Sequence, residues 1–271
     1  MSAEPILEFK DVSLRYGESW ALRNISLTLE PGETRIIFGA AGSGKTTLLK
    51  AVIGLVRVDQ GSVKLFGEDV TRMSENELFL LRHRAGFLFQ EGGLFDSFTV
   101  GENVEYPLVN QPGLAKAKEL DTEKLVRDTL RFVELEQTFD KFPSEISGGM
   151  RRRVGIARAV VTEPPLVLYD SPTAGLDPIT ANTIMALLAK ERDVRNSASL
   201  VVTHRYQDGE IMANFRYDSE EEELLPDTKA RTRFMVMKEG EIVFLGTRQE
   251  LESSSDEYVK RFQRHEDRHA Q

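Results

Sequence analysis

TRIIFGAAGSGKTTLLKAVIGL, residues 34–55, reads as a strand, a tight glycine-rich loop and a helix in immediate succession. TRIIF (34–38) carries the β-branched and aromatic residues of a strand, and KTTLLKAVIGL (45–55) has helical character. Between them GAAGSGKT, Gly39 to Thr46, fits the phosphate-binding pattern, in the strand–loop–helix setting that pattern requires. Glycines let backbone N–H groups turn inward around phosphate oxygens. Lys45 brings a point charge for the β and γ phosphates, the Thr46 hydroxyl suits Mg²⁺, and the helix N-terminus adds partial positive charge. Gly39, Ala40, Ala41, Gly42, Ser43, Gly44, Lys45, Thr46 and Thr47 are therefore candidate nucleotide-binding residues.

Outward from this loop, ILEF (6–9), ISLTL (25–29) and SVKLF (62–66) are strand-like runs punctuated by Pro31-Gly32 and Gly61. Val126, Leu130 and Val133, and later Val154, Ala157 and Val161, recur at helical spacing. LVLY (166–169) and SLVVT (199–203) flank a helix-like segment from Thr180 to Glu191. This alternation predicts an α/β fold with a parallel sheet covered by helices. FMVMK (234–238) and EIVFL (241–245), joined at Glu239-Gly240, predict a closing hairpin. YDSEEEELLPDTKARTR (217–233) predicts a solvated acidic loop or insertion, and residues 253–271 a charged tail.

The chain has 271 residues, enough for one large α/β domain, and we find no internal repeat or sign of a second large one. Cysteine is absent, which excludes disulfides and thiolate metal sites. The net charge of −9 and the lack of aromatic interleaving in its basic run argue against nucleic acid as a partner. MSAEPILEFK shows no basic stretch followed by an apolar one, so no secretory leader is expected. No uninterrupted apolar run approaches the roughly 18–20 residues needed to cross a bilayer, so any work at a membrane would go through a partner.

Two further stretches carry chemistry. LVLY delivers Asp170 to a loop, the usual way for such folds to hold Mg²⁺, commonly through water. ISGGM (146–150) sets Ser147 to cap the following helix and leaves the Gly148 and Gly149 N–H groups accessible to an anion. With these residues in order, the chain resembles the ATP-binding cassette (ABC) ATPases over nearly its whole length.

The resemblance implies a RecA-like P-loop NTPase core, an N-terminal antiparallel β subdomain, and a helical subdomain over about 90–165, all within one ATPase domain spanning 1–271. It implies ATP and Mg²⁺ as cofactors, with Tyr16 stacking on adenine and Thr46, Gln90 and Asp170 around the metal. Gln90, Asp170, Ser171 and His204 would surround the γ-phosphate, and Asp177 would belong to the loop that follows. Ser147, Gly148 and Gly149 would serve the nucleotide of a second subunit, in a twofold dimer of this chain or a mixed pair with another ATPase. An integral-membrane ABC permease is the implied partner, with the chain cytoplasmic and peripheral on the inner face of the membrane.

GFLFQEGGLFDSFTVGENVEYPL (86–108), SGGM and LDPIT (176–180) are similar to ATPases of Mce/Mla-type lipid transporters, which implies lipid cargo and a Mce-type substrate-binding component. Leu94, Phe95 and Phe98 are then candidates for the groove that receives a permease helix, with plain core as the alternative. One residue departs from the family. Ser171 stands where most relatives carry a glutamate that orients the attacking water. Either hydrolysis is slow, with Glu91 as a sequence-adjacent substitute, or the chain is an ATP-dependent switch, or half of a mixed pair, or altered by substitution at that position. Arg151, Arg152 and Arg153 are expected to solvate their helix or help hold phosphate at a dimer interface. His265 and His269, at i, i+4 spacing, read as part of the tail rather than a metal site.

Overall fold

The computed structural model describes residues 4–90, 92–110, 121–227 and 231–263. In chain order the N-terminal part runs β1 (Leu7–Tyr16), β2 (Ser19–Leu29), β3 (Thr34–Gly39), α1 (Lys45–Val52), β4 (Gln60–Leu65) and β5 (Glu68–Asp69). The middle runs α2 (Glu75–Arg82), β6 (Ala85–Leu88), α3 (Val100–Val109), α4 (Thr122–Phe132) and α5 (Gly148–Val160). Then come β7 (Leu166–Asp170), α6 (Pro178–Arg195), β8 (Ala198–Val202), α7 (Tyr206–Asn214), β9 (Phe215–Asp218) and β10 (Glu223–Pro226). β11 (Thr232–Lys238), β12 (Glu241–Gly246), α8 (Arg248–Glu252) and a 3₁₀ turn over Val259–Phe262 close the chain.

The central sheet has strand order β12-β11-β3-β8-β7-β6 and is parallel except for the β11–β12 hairpin. Every residue of β3, β7 and β8 is buried, as strands covered on both faces must be. Their period of two splits the core in half. Ile36, Phe38, Val167, Tyr169 and Val201 join the cluster under α3 to α6. Ile37, Leu168, Leu200 and Val202 join the opposite one, with α1 and the antiparallel sheet β2-β1-β4-β5. α1 thus lies between two sheets, and Leu48, Leu49 and Val52 fill that space. The predicted α/β class, parallel sheet, N-terminal antiparallel sheet and closing hairpin are all present.

Three local expectations change. Residues 217–233 begin as the antiparallel hairpin β9–β10, with Glu223 opposite Asp218 and Pro226 opposite Phe215. Tyr217 N–H donates to Asp193 at 2.7 Å, Lys190 lies over the Tyr217 ring, and Leu224 packs on the core. The glutamate run hides this short pairing in the sequence because it occupies the exposed turn. Second, the arginines do not simply solvate α5. Arg151 donates to Ile146 O at 3.0 Å, Arg152 is buried and reaches Ala174 O, and Arg153 reaches Val133 O. They satisfy carbonyls at loop and helix ends that backbone N–H groups leave unpaired. Third, the tail is packed as far as it is described. Val259 is buried and the Phe262 ring stacks 5.9 Å from Phe38, whereas His265 and His269 lie outside the described residues.

α6 carries a buried carboxylate whose ionisation bears on stability. Glu191 lies 3.3 Å from Arg195, and burial pushes it up to about 7 from 4.5, with Arg195 opposing. A folded-state value above the unfolded one makes this contribution most favourable below about pH 4.5 and lost as pH rises through about 7. Glu191→Gln is therefore expected to raise the melting temperature at pH 8 by roughly 2–4 °C, about 1 kcal/mol, and to do less at pH 5. Thermal unfolding at the two pH values checks the difference.

Candidate functional site

The carboxyl ends of β3, β6, β7 and β8 converge on one edge of the central sheet, the edge where open α/β sheets bind ligands. The loop after β3 turns into α1 through Gly44, whose φ is 101°. A Cβ there would sit 2.2 Å from Ala21 O, so both conformation and space demand glycine. The loop is tied down from outside: Gly240 N–H donates to Ser43 O at 3.1 Å, and Ala40 N–H donates to the Tyr258 hydroxyl at 3.1 Å. Tyr258 in turn donates to Met237 O at 3.2 Å.

Lys45 is buried, and its Nζ donates to Gly39 O at 2.8 Å, Ala40 O at 2.7 Å and Ser43 Oγ at 3.2 Å. Burial lowers its pKa and the Asp170 carboxylate opposes that shift. α1 has no acidic residue in its first turn, so its positive end is free to meet an anion. A cavity of about 320 Å³ lies over the loop, lined by Gly42 to Thr47 and by Tyr16, Ser19, Trp20 and Ala21. Tyr16 is 57% exposed, a surface ring beside the loop rather than core.

Trp20, missed in the sequence, shares this wall with Arg15 stacked on it at 3.7 Å. Its signal was being the single tryptophan, at the start of a strand.

Asp170 ends β7 opposite Val202 of β8, and Ser171 and His204 follow those strands. Burial lowers the His204 pKa, Lys45 lowers it further and Asp170 raises it, so Lys45, Asp170 and His204 sit within one electrostatic neighbourhood. The net downward shift favours the neutral imidazole, which can donate from one nitrogen. Ser171 is buried, and its hydroxyl donates to Asp170 Oδ1 at 3.3 Å. Its φ is 54°, a left-handed conformation that costs a residue with a side chain about 1–2 kcal/mol. Ser171 N–H to Val202 O at 3.0 Å and Ala174 N–H to Ser171 O at 3.2 Å hold it there.

Gln90 is exposed two residues beyond Leu88, which pairs with Tyr169, so it leaves the sheet on the same edge. Glu91 lies outside the described residues. Thr46 and Asp170 offer a hydroxyl and a carboxylate, hard oxygens suited to Mg²⁺, and Gln90 offers an amide oxygen. No group of three or more His, Cys, Asp or Glu side chains that could hold a metal occurs among the described residues. That donor set fits a Mg²⁺ whose remaining ligands are phosphate and water.

Ser147 caps α5, accepting from Met150 N–H at 3.2 Å, and Asp177 caps α6, accepting from the N–H groups of Ile179 and Thr180 at 3.0 Å. The caps depress the Asp177 pKa, the Thr180 hydroxyl contributing most. The two helix starts touch: a Cβ on Gly149 would lie 2.7 Å from Thr180 Cγ2. None of Ser147, Gly148 and Gly149 lines the cavity over the phosphate loop. Ser147 and Gly148 are exposed, as is Ile179 at 81%, while Gly149 is half-buried against Thr180.

The sequence profile described as ABC transporter matches residues 22–174. A methionine import ATP-binding protein, MetN of Rhizobium johnstonii, is 40% identical over 206 residues, 76% of this chain and 56% of that protein. The chain belongs to the ABC transporter family. A probable ribonucleotide transport ATP-binding protein, mkl of Mycobacterium leprae, is 36% identical over 73% of this chain and 56% of its own length. The cassette thus spans about half the length of the curated relatives it matches. Among solved structures, the ATP-binding cassette MJ0796, a dimer in a post-hydrolysis state with ADP and Pi, superposes with a TM-score of 0.74 at 31% identity. That match covers 89% of this chain and 98% of the other. The fold is therefore that of an ABC ATPase cassette.

Proposed function

We propose that this cassette binds MgATP and hydrolyses it slowly, as the ATP-binding subunit of an ABC transporter working through a separate permease. The observation that carries the reading is the convergence of Lys45, Asp170 and His204 at one phosphate loop. Gly42 to Thr47 cradle the phosphates, and the Tyr16 ring offers a face for adenine. Thr46, Asp170 and Gln90 would hold Mg²⁺, which would neutralise charge on the phosphates. His204 donates to the γ-phosphate, and Ser171 holds water in place without acting as a base. Purified chain with MgATP tests this: binding and phosphate release above a Lys45→Ala blank support it, and equality with the blank sinks it.

The exposed signature residues support a dimer in which each copy completes the other's site, formed by two copies or by a mixed pair. ATP between the copies then favours the closed state, and hydrolysis releases it. Mixing labelled copies with MgATP and following their association checks this.

A second surface fits the permease. A groove of about 410 Å³ beside α2, β6, α3 and α5 is lined by Phe87, Phe89, Phe95, Tyr106, Arg158 and His83 among others. Phe95 is 40% exposed, with Tyr106 at 4.8 Å and Arg158 at 5.7 Å from its ring. Of the three residues expected here, Phe95 lines the groove, Phe98 packs against its ring at a tilt with centroids 5.1 Å apart, and Leu94 packs against the core. Phe95→Asp puts a charge into this apolar wall and is expected to abolish permease co-purification while MgATP affinity stays native. Loss of both would assign Phe95 to folding. The location follows from the partner, peripheral on the inner membrane face; no described helix is long and apolar enough to span a bilayer.

Lipid is the cargo class that 86–108, SGGM and LDPIT support, with a Mce-type component as a further partner. Mass spectrometry of lipids retained by the intact complex tests it, against methionine and ribonucleotides as competing ligands.

A further inference from the structure

We infer that Asp208 is a positioning residue for the γ-phosphate side of the site, fastening the turn that carries Ser171 to the turn that carries His204. This rests on the proposed ATPase reading and adds a residue to it. The sheet itself stops short of the chemistry. The last β7–β8 pair is Asp170 with Val202, followed by one backbone bond from Ser171 N–H to Val202 O. Beyond it the two loops are separate chains, one leading on from Ser171 and the other holding His204.

The cross-link past that point is a carboxylate. Asp208 lies in the first turn of α7 and has no exposed surface. Its Oδ2 accepts from the Thr173 hydroxyl at 2.5 Å and from the Thr203 hydroxyl at 2.5 Å. Thr173 is two residues after Ser171, and Thr203 immediately precedes His204. The Thr203 oxygen also accepts Arg205 N–H at 3.1 Å, and the Arg205 guanidinium lies 3.4 Å from Oδ1. His204 is thus bracketed by two residues tied to Asp208. Hydroxyl-to-carboxylate bonds this short are charge-assisted and about twice as strong as neutral ones.

The left-handed Ser171 sharpens the need. A backbone in that region persists only where its surroundings over-determine it. Pro172 and Thr173 continue the turn, and the Thr173 hydroxyl is its side-chain anchor. With a hydroxyl rather than a carboxylate at 171, water orientation depends on where the backbone holds that hydroxyl relative to His204. Burial raises the Asp208 pKa while the two threonine hydroxyls and Arg205 lower it.

The test uses the full chain carrying Ser171→Glu, so that turnover is easily read, with Asp208→Ala and Asp208→Asn added. Asn keeps an acceptor oxygen for both hydroxyls; Ala keeps none. We expect Asp208→Ala to lower kcat about 10–100-fold with KM for ATP within about twofold of the parent. Asp208→Asn should recover most of that loss. In parallel, the His204 ring resonances, one set among four histidines, should broaden or split in Asp208→Ala and sharpen again in Asp208→Asn. This second readout needs no turnover. If Asp208→Ala fails to fold, Thr203→Val, which removes one hydroxyl, takes its place with the same expectations. Unchanged kcat and His204 lines overturn the inference. So does a kcat loss that tracks a fall in melting temperature and is not rescued by Asn, which marks a purely structural carboxylate. If the parent itself does no better than Lys45→Ala, the ATPase reading fails, and the His204 lines still decide whether Asp208 sets that loop.

Discussion

Ser171→Glu is expected to raise MgATP turnover by about 10²-fold or more, the contribution typical of a positioned acid–base group. In the native chain the Ser171 hydroxyl donates its proton to Asp170 at 3.3 Å, which leaves only its lone pairs to hold a water and no group to act as a base. The backbone there already has the left-handed φ of 54°, so glutamate inherits the conformation and adds only reach and charge. Its charge beside Asp170 is tolerable once Mg²⁺ is bound. Phosphate release from native chain and variant, each against Lys45→Ala, distinguishes three states. Clear native turnover with little gain from glutamate means that another group orients water. Turnover only in the variant makes the native chain a switch or the weak half of a mixed pair. Silence from both, at the level of the Lys45→Ala blank, sinks the ATPase reading.

Lys45→Ala is expected to weaken MgATP binding by about 10²-fold, close to 2.7 kcal/mol. That is the scale of a hydrogen bond to a charged group in a shielded site. The structure says why the loss should fall on binding rather than folding. The ammonium donates to Gly39 O, Ala40 O and Ser43 Oγ, all within the same loop, and burial already lowers its pKa. Removing it deletes a partly desolvated charge along with its local bonds, so the melting temperature without nucleotide should change little. The loop keeps its other anchors, Gly240 N–H on Ser43 O and the Tyr258 hydroxyl on Ala40 N–H. Calorimetric titration with MgATP, beside thermal unfolding without it, measures both halves. A variant that binds like the native chain would remove Lys45 from the site.

What the sequence determined by itself is whatever depends on contiguous residues. The phosphate loop is legible because eight adjacent residues must be of set types for a backbone turn to face an anion. The β3, β7 and β8 strands are legible because burial on both faces demands short, mainly apolar runs, IIF, LVLY and LVV. The cap at Ser147 is equally local, since its hydroxyl serves the N–H group three residues ahead. Tertiary structure alone decided the rest. Asp208 reads as an ordinary acidic residue in an early helical turn until β7 and β8 lie side by side and bring Thr173, 35 residues away, onto its oxygen. Tyr258 reads as part of a charged tail until packing of Val259 and Phe262 brings its hydroxyl to Ala40, 218 residues earlier. The arginines of α5 looked like surface charge because a sequence shows charge but not the unpaired carbonyls of Ile146, Ala174 and Val133 that receive it. A local pattern records what one segment needs from its own backbone. Which distant segment meets a buried polar group is chosen only when the sheet order brings them together.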